Sequence, residues 1–476
     1  MRLTYDALPA LPSAIARPRH AAPPAIGIVH FGPGAFHRAH QAAYIDRLLD
    51  DDPRWGIAAV SLRSRGTIDA LAEQQGLYTL AIRESTPRYR VIGAHAAFLG
   101  PTDHRETLAL LAAPATRLVT ATVTEKGYCL APDGTLDLQH PDIVHDLSGG
   151  PPASLIGWIV AGLAARRAAG TAPFVAMPCD NLTDNGAKLH AALVAFARVR
   201  DPALADWIAG EVRVPGTMVD SITPQTDEAT CVEVRAALTL DDAVPVQREP
   251  FTQWVIEDVG DLVPDLARVG AIVTGDVAAF ERAKLRIVNG AHSTLAYLGL
   301  LRGCATVAEA MADAELAQFV RGMVCDEIIP TLPPIAGLDP HAYAAAVFAR
   351  FRNLAIVHRL EQIAQDGTLK LPYRLGDALG ERRRTGASPG KIAAAIGGWV
   401  AFLIARTRSG AAIVDPQAAV LTAAVHTGTP RQAVAALAGS GLPLPLAYMG
   451  DERVRTAIAS ATDAALAGDW ATMWSR

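Results

Sequence analysis

Apolar residues come in short, punctuated runs in the first half of the chain and at helical spacing in the second. Ala25-Ile-Gly-Ile-Val-His-Phe31 reads as a buried strand, Gly32-Pro-Gly-Ala-Phe-His37 as a turn, and Ala42, Ile45, Leu48 and Leu49 as one face of the helix that follows. Further strands are expected at Gly56-Ile-Ala-Ala-Val-Ser-Leu62, at 117–124 and at 173–177, with a helix over 155–168. Strands alternating with helices predict an α/β domain with a mostly parallel sheet. Between about 211 and 275, the runs 230–237, 251–257 and 271–274 read as strands that extend this sheet. From Val277 onward the pattern is helical, over 278–302, 314–330, 340–352, 355–365, 389–407, 415–425 and 451–467. Breaks are expected at Leu332-Pro-Pro334 and at Arg382–Arg384. The chain thus divides into a loose proline-rich lead-in (1–24), an α/β domain (25–276) and a mostly α-helical domain (277–476).

A length of 476 residues allows two or three domains, and a 50% hydrophobic content allows a large core. The net charge of -5 is spread over both signs with no long basic stretch, which argues against nucleic acid as a partner. Cys129, Cys179, Cys231, Cys304 and Cys325 are widely spaced and contain no CxxC pair, so neither a disulfide framework nor a structural zinc site is expected. No run of eighteen apolar residues points to a membrane span, and the proline-rich start lacks a signal-peptide core. The chain reads as reduced, soluble and cytoplasmic. With no coiled-coil seam, a monomer or weak homo-oligomer is expected.

The glycine turn follows a strand and opens a helix, where a dinucleotide-binding fingerprint belongs. Gly32 would permit the tight turn, Gly34 would let a pyrophosphate approach the backbone, and Arg38 could add a charged contact; His37 stands in the third glycine's place. This makes the first domain a Rossmann-type dinucleotide-binding domain with an extended sheet. Its second strand ends Ser61-Leu-Arg63-Ser-Arg65 without the usual ribose-binding acid, and arginines there can hold a 2′-phosphate, so NADP is not excluded as an alternative to NAD.

Lys284-Leu-Arg-Ile-Val-Asn289-Gly-Ala-His292 places a lysine, an asparagine and a histidine in an otherwise apolar helix. At α-helical spacing Asn289 and His292 lie one turn apart, with Lys284 about a quarter-turn round from His292. Three polar groups would then reach one cavity. Desolvation lowers a lysine's pKa, which suits proton exchange with an alcohol near neutral pH.

Six segments occur in order: His30-Phe-Gly-Pro-Gly-Ala-Phe-His-Arg-Ala-His-Gln41, Thr124-Glu-Lys-Gly-Tyr128, Cys179-Asp-Asn181, Met218-Val-Asp220, Gln253-Trp-Val-Ile-Glu-Asp258 and the Lys284 to His292 run. Together they resemble the polyol-specific long-chain dehydrogenases, which include mannitol 2-dehydrogenases and fructuronate reductases, over roughly residues 25–450. The resemblance implies a zinc-independent, nicotinamide-dependent dehydrogenase with Lys284 as general acid/base. It implies that Asn181 and Asn289 hydrogen-bond the reacting oxygen, that His292 binds substrate and that Asp220 lies near the site. Phe31, Gly32, Gly34, Ala35, Phe36, Arg38, Arg63, Glu125 and Lys126 are the expected cofactor-binding residues, and no metal is expected. Where many relatives read Val-Asp-Arg-Ile, this chain has Val219-Asp-Ser221-Ile.

The segment His358-Arg-Leu-Glu-Gln-Ile-Ala-Gln-Asp-Gly-Thr-Leu-Lys370-Leu-Pro-Tyr-Arg374 resembles the fructuronate reductases in particular. A uronate carries a carboxylate that arginine can bind in a fork, whereas a polyol needs no such cation. Arg359, Lys370 and Arg374 are the expected anchors for a sugar acid, and a polyol–ketose reaction is the alternative. A non-catalytic dinucleotide sensor would be expected to lose Lys284 or Asn289, and both are present.

Overall fold

The computed structural model describes residues 1–426, 428–442 and 450–475. Two compact units divide at Ala278 and Ala279. Unit one contains eleven strands: β1 (Ile26–Phe31), β2 (Gly56–Val60), β3 (Tyr78–Ile82), β4 (Arg88–Ile92), β5 (His95–Leu99), β6 (Leu118–Ala121), β7 (Val175–Pro178), β8 (Thr217–Asp220), β9 (Val246–Arg248), β10 (Gln253–Glu257) and β11 (Ile272–Thr274).

The main sheet runs β5-β2-β1-β6-β7 with every pair parallel. Counted within that sheet the order is 3-2-1-4-5, so it reverses between β1 and β6. Ligand crevices of doubly wound folds form at such a switch point, beyond the carboxyl ends of the strands. β1, β2, β6 and β7 are buried almost throughout, as strands covered on both faces must be.

The expected extension of this sheet is corrected. β11-β10-β8 and β4-β3-β9 are separate three-stranded sheets. The run 230–237 belongs to a helix, Glu228–Leu238. Its alternating Thr230, Val232 and Val234 mimic a strand, but Asp227 accepts from the Thr230 N–H and caps a helix instead. The lead-in is not loose: Leu3, Tyr5, Leu8, Leu11 and Ile15 are buried against Leu77, Val91, Val234 and Leu238.

Unit two is helical. One continuous stretch runs through Val277–Ala283, a π-turn at Lys284–Asn289, and Gly290–Leu301. Two further π-turns occur at Met323–Ile328 and Pro372–Gly376. The expected helix over 355–365 shrinks to Leu360–Ile363, because Arg359 makes an antiparallel bridge to Thr306 and holds the preceding residues extended. Arg382–Arg384 form the last turn of the helix Asp377–Arg384, where cations favour the negative helix end. Gly390–Ser409 is long and apolar enough to cross a membrane, but it is largely buried inside the unit.

Candidate functional site: a glycine corner and a lysine on a π-turn

In unit one, the ends of β1, β2, β6 and β7 carry the expected cofactor residues. Phe31 is fully buried at the end of β1, and Gly32 follows at φ +87°. A Cβ at Gly32 would lie 2.2 Å from the Thr122 carbonyl oxygen, so both backbone conformation and close packing demand glycine. At Gly34 the same imaginary Cβ meets only the Gly32 carbonyl, 3.9 Å away. The approach to Gly34 and to the first-turn N–H groups of the helix Ala35–Ala39, which includes Phe36, is therefore open. This is the shape a pyrophosphate needs.

Arg38 does something other than expected. It is buried, with Nε donating to the Pro33 carbonyl at 3.3 Å and Nη1 to the Val244 carbonyl. The guanidinium ties the corner to a distant loop rather than facing a phosphate. Beneath the corner lies a histidine cluster that the sequence did not reveal as one. His30 bonds Thr120 Oγ1 at 2.7 Å, its ring stacks on His37 at 3.4 Å, and His37 Nε2 lies 3.0 Å from His95 Nε2. Burial drives the pKa of His30 and of His95 down to about 3, and that of His37 well below its usual value. At neutral pH burial keeps all three uncharged.

Arg63 pairs with Asp142, and Arg65 with Asp69 and Asp103. Asp142 also lies near Cys129 and His140, the three ligand-type atoms being within 4.8 Å of one another, but Arg63 already neutralises its carboxylate. Glu125 and Lys126 are exposed on a tight turn after β6. Asp180 braces that turn, accepting from Val123 N at 3.0 Å, Thr124 N at 2.9 Å and Tyr128 Oη at 2.9 Å. Its neighbour Asn181 is exposed at the end of β7. Asn185, absent from the sequence reading, clamps this end by donating to the Asp180 and Thr217 carbonyls. Asp220 is buried at the end of β8, opposite Gln253 of β10. Ser221, in the place of the family arginine, donates to the Phe251 carbonyl at 3.0 Å.

In unit two, Lys284 and Asn289 begin and end the π-turn, which changes the expected geometry. Five α-helical steps leave two side chains about 140° apart. A turn closed by i to i+5 hydrogen bonding takes up the extra residue and brings them nearer one line. Lys284 is 6% exposed and Asn289 half-buried. Arg286 anchors the turn from within, donating to both carboxylate oxygens of Glu381 at 2.9 and 2.7 Å and to Thr331 Oγ1 at 2.9 Å. His292 stacks on Phe351 with centroids 4.2 Å apart and meets the edge of His358 at 4.9 Å. Burial, then the neighbouring His358, Arg374 and Arg350, hold its pKa well below the usual value.

Gly290 permits the next contact, because a Cβ there would come within 3.0 Å of the Arg374 carbonyl oxygen. That close approach seats the third π-turn, and Arg374 Nη1 donates to Ser293 Oγ at 3.0 Å. Burial lowers the Arg374 pKa, and no carboxylate among the described residues pairs with it. The other two expected anchors lie differently. Lys370 Nζ donates to the Gln365 carbonyl at 2.7 Å and lies 3.8 Å from Asp366. Arg359 is exposed and takes no part in the contacts around His292.

Residues 26–266 match the mannitol dehydrogenase Rossmann domain, and residues 276–440 the mannitol dehydrogenase C-terminal domain. This chain belongs to the mannitol dehydrogenase family. It is 42% identical over 407 residues to D-mannonate oxidoreductase of Escherichia coli, covering 82% of this chain and 83% of that protein. Mannitol 2-dehydrogenase of Aspergillus fumigatus is 40% identical over 370 residues, 75% of this chain and 74% of the other. Among solved structures, Pseudomonas fluorescens mannitol 2-dehydrogenase in ternary complex with NAD and D-mannitol superposes with a TM-score of 0.83 at 33% identity, covering 100% of this chain and 99% of that one. A substrate-free D-sorbitol dehydrogenase gives 0.89 at 29% identity, covering 99% of each chain. Family membership makes the protein an oxidoreductase acting on a CH–OH group of a small polyol or sugar acid.

Proposed function

We propose that the protein is a NAD-dependent reductase that interconverts D-fructuronate and D-mannonate, with Lys284 as general acid/base. The observation that carries the sugar-acid reading is Arg374: a mostly buried guanidinium beside Ser293, electrostatically coupled to His292, with no carboxylate of its own. Removing a guanidinium from water is costly unless acceptors meet it; Arg38 has two backbone carbonyls, whereas Arg374 has only the Ser293 hydroxyl among the described residues and is left to be met by an anion. A uronate carboxylate supplies that anion, and a neutral polyol does not. The 42% identity to a D-mannonate oxidoreductase supports the same reading.

Gly32, Gly34, Ala35 and Phe36 would hold the cofactor's pyrophosphate, with Phe31, Glu125 and Lys126 around the same strand ends. When bound, the nicotinamide supplies the hydride for reduction. Lys284 delivers a proton to the carbonyl oxygen as negative charge develops there, and the amide of Asn289 donates a hydrogen bond to that oxygen; the family resemblance implies the same role for Asn181. His292 orients the sugar, Arg374 binds the carboxylate, and Asp220 and Lys370 are further contacts to the substrate. In the reverse direction Lys284, neutral, removes the hydroxyl proton.

The alternative is interconversion of a polyol and a ketose. It draws support from the 40% identity to a mannitol 2-dehydrogenase. Steady-state rates with fructuronate and with fructose, each with NADH, separate the two readings.

A further inference from the structure

We infer that His358 is a specificity-determining residue, one face of the recognition site for the carboxylate-bearing end of the substrate. This deepens, and rests on, the sugar-acid reading above.

The segment carrying His358 is extended, and its backbone is pinned on both sides. Val307 N donates to the His358 carbonyl at 3.0 Å, Leu360 N donates to the Ala305 carbonyl at 3.0 Å, and Arg359 bridges to Thr306. Neighbouring side chains of an extended segment point to opposite sides. His358 turns inward to His292, while Arg359 is exposed.

The inward imidazole meets the edge of His292 at 4.9 Å and an interplanar angle of 81°. Phe351 stacks on His292, so that ring is wedged between two aromatic neighbours. Yet polar atoms on both imidazoles are left without partners: His292 Nε2 and His358 Nδ1 are buried and make no hydrogen bond. Unpartnered ring nitrogens also occur in the histidine cluster under the glycine corner, but here they lie in and beside a ring coupled to two guanidinium groups, so an anionic ligand would satisfy nitrogen and charge together. The cations electrostatically coupled to His292, the ring that His358 meets, are Arg374 and Arg350. A ligand that completes this cluster must offer oxygen atoms to imidazole nitrogens and negative charge to a guanidinium. A carboxylate flanked by a hydroxyl does both; the hydroxymethyl end of a neutral ketose offers only the first. His358 thus acts on which sugar is held, while Lys284 and Asn289 act on the reacting oxygen.

The test uses the full-length protein with NADH and compares His358→Ala and His358→Gln with wild type on fructuronate and fructose. His358→Ala should raise KM for fructuronate at least about tenfold, leave kcat within about threefold, and change fructose kinetics by less than about twofold. His358→Gln keeps a nitrogen donor and should recover part of the loss. Equal KM increases on both sugars, or a fall in kcat alone, would overturn the assignment. If His358→Ala does not fold, as judged by thermal melting, His358→Gln decides through the same KM ratio. A wild type that prefers fructose would remove the underlying sugar-acid reading. A wild type that prefers fructuronate, with that preference intact in both variants, would remove only the role of His358.

Discussion

Lys284 and Arg374 divide the proposed work between chemistry and recognition. Lys284→Ala should lower kcat by about 10²- to 10⁴-fold, the usual contribution of a positioned acid/base, while NADH affinity measured by fluorescence titration stays near wild type. Arg374→Ala removes a charge-assisted contact worth about 1.5–3 kcal/mol, so KM for fructuronate should rise about tenfold to a hundredfold with little effect on fructose. Lys284, Asn289 and His292 stand out in the sequence as candidates because three polar residues interrupt an apolar helix. The histidine pair does not. His292 and His358 are 66 positions apart, and it is the pairing of residues 305–307 with 358–360 that holds the His358 segment extended. Arg38 misled for the opposite reason: an arginine after a glycine turn looks like a phosphate ligand until its acceptor, Val244, is known.

Among the elements, the glycine corner and the first π-turn set the geometry. Gly32→Ala would force a Cβ against the Thr122 carbonyl at a backbone conformation alanine rarely adopts. NADH binding should be lost or thermal stability should drop sharply, and a melting curve with and without NADH reads both. The histidines under the corner make a second prediction. Their folded pKa values lie below the ordinary value of 6.5, so the unfolded chain takes up protons first as pH falls. Their contribution to stability is complete above about pH 6.5 and is lost progressively toward about pH 3. The melting temperature should therefore fall between pH 7 and pH 4.5, and less steeply in His95→Gln; an unchanged slope would show that the cluster is not responsible. The corner was readable from Gly32-Pro-Gly34, but the π-turn was not, since nothing in residues 284–289 distinguishes i to i+5 from i to i+4 bonding. The Thr230–Val234 alternation failed because β-branched residues pack on a helix face as well as on a strand.

For the whole molecule, alternating strand and helix runs were enough to read a parallel α/β unit followed by a helical one. Strand order was not readable, because β3 and β4 leave the main sheet between β2 and β5, and pairing of that kind is settled by tertiary packing. The same unit makes a cofactor prediction. Arg63 and Arg65 are already paired with Asp142, Asp69 and Asp103, so a 2′-phosphate would meet carboxylates as well as arginines. Activity with NADH should exceed that with NADPH by about tenfold or more in kcat/KM. The most direct test of the account is kcat/KM of the wild-type protein for fructuronate and for fructose at neutral pH with NADH. A sugar-acid reductase with a buried, otherwise uncompensated Arg374 predicts a large preference for fructuronate; equal or better turnover of fructose would contradict it.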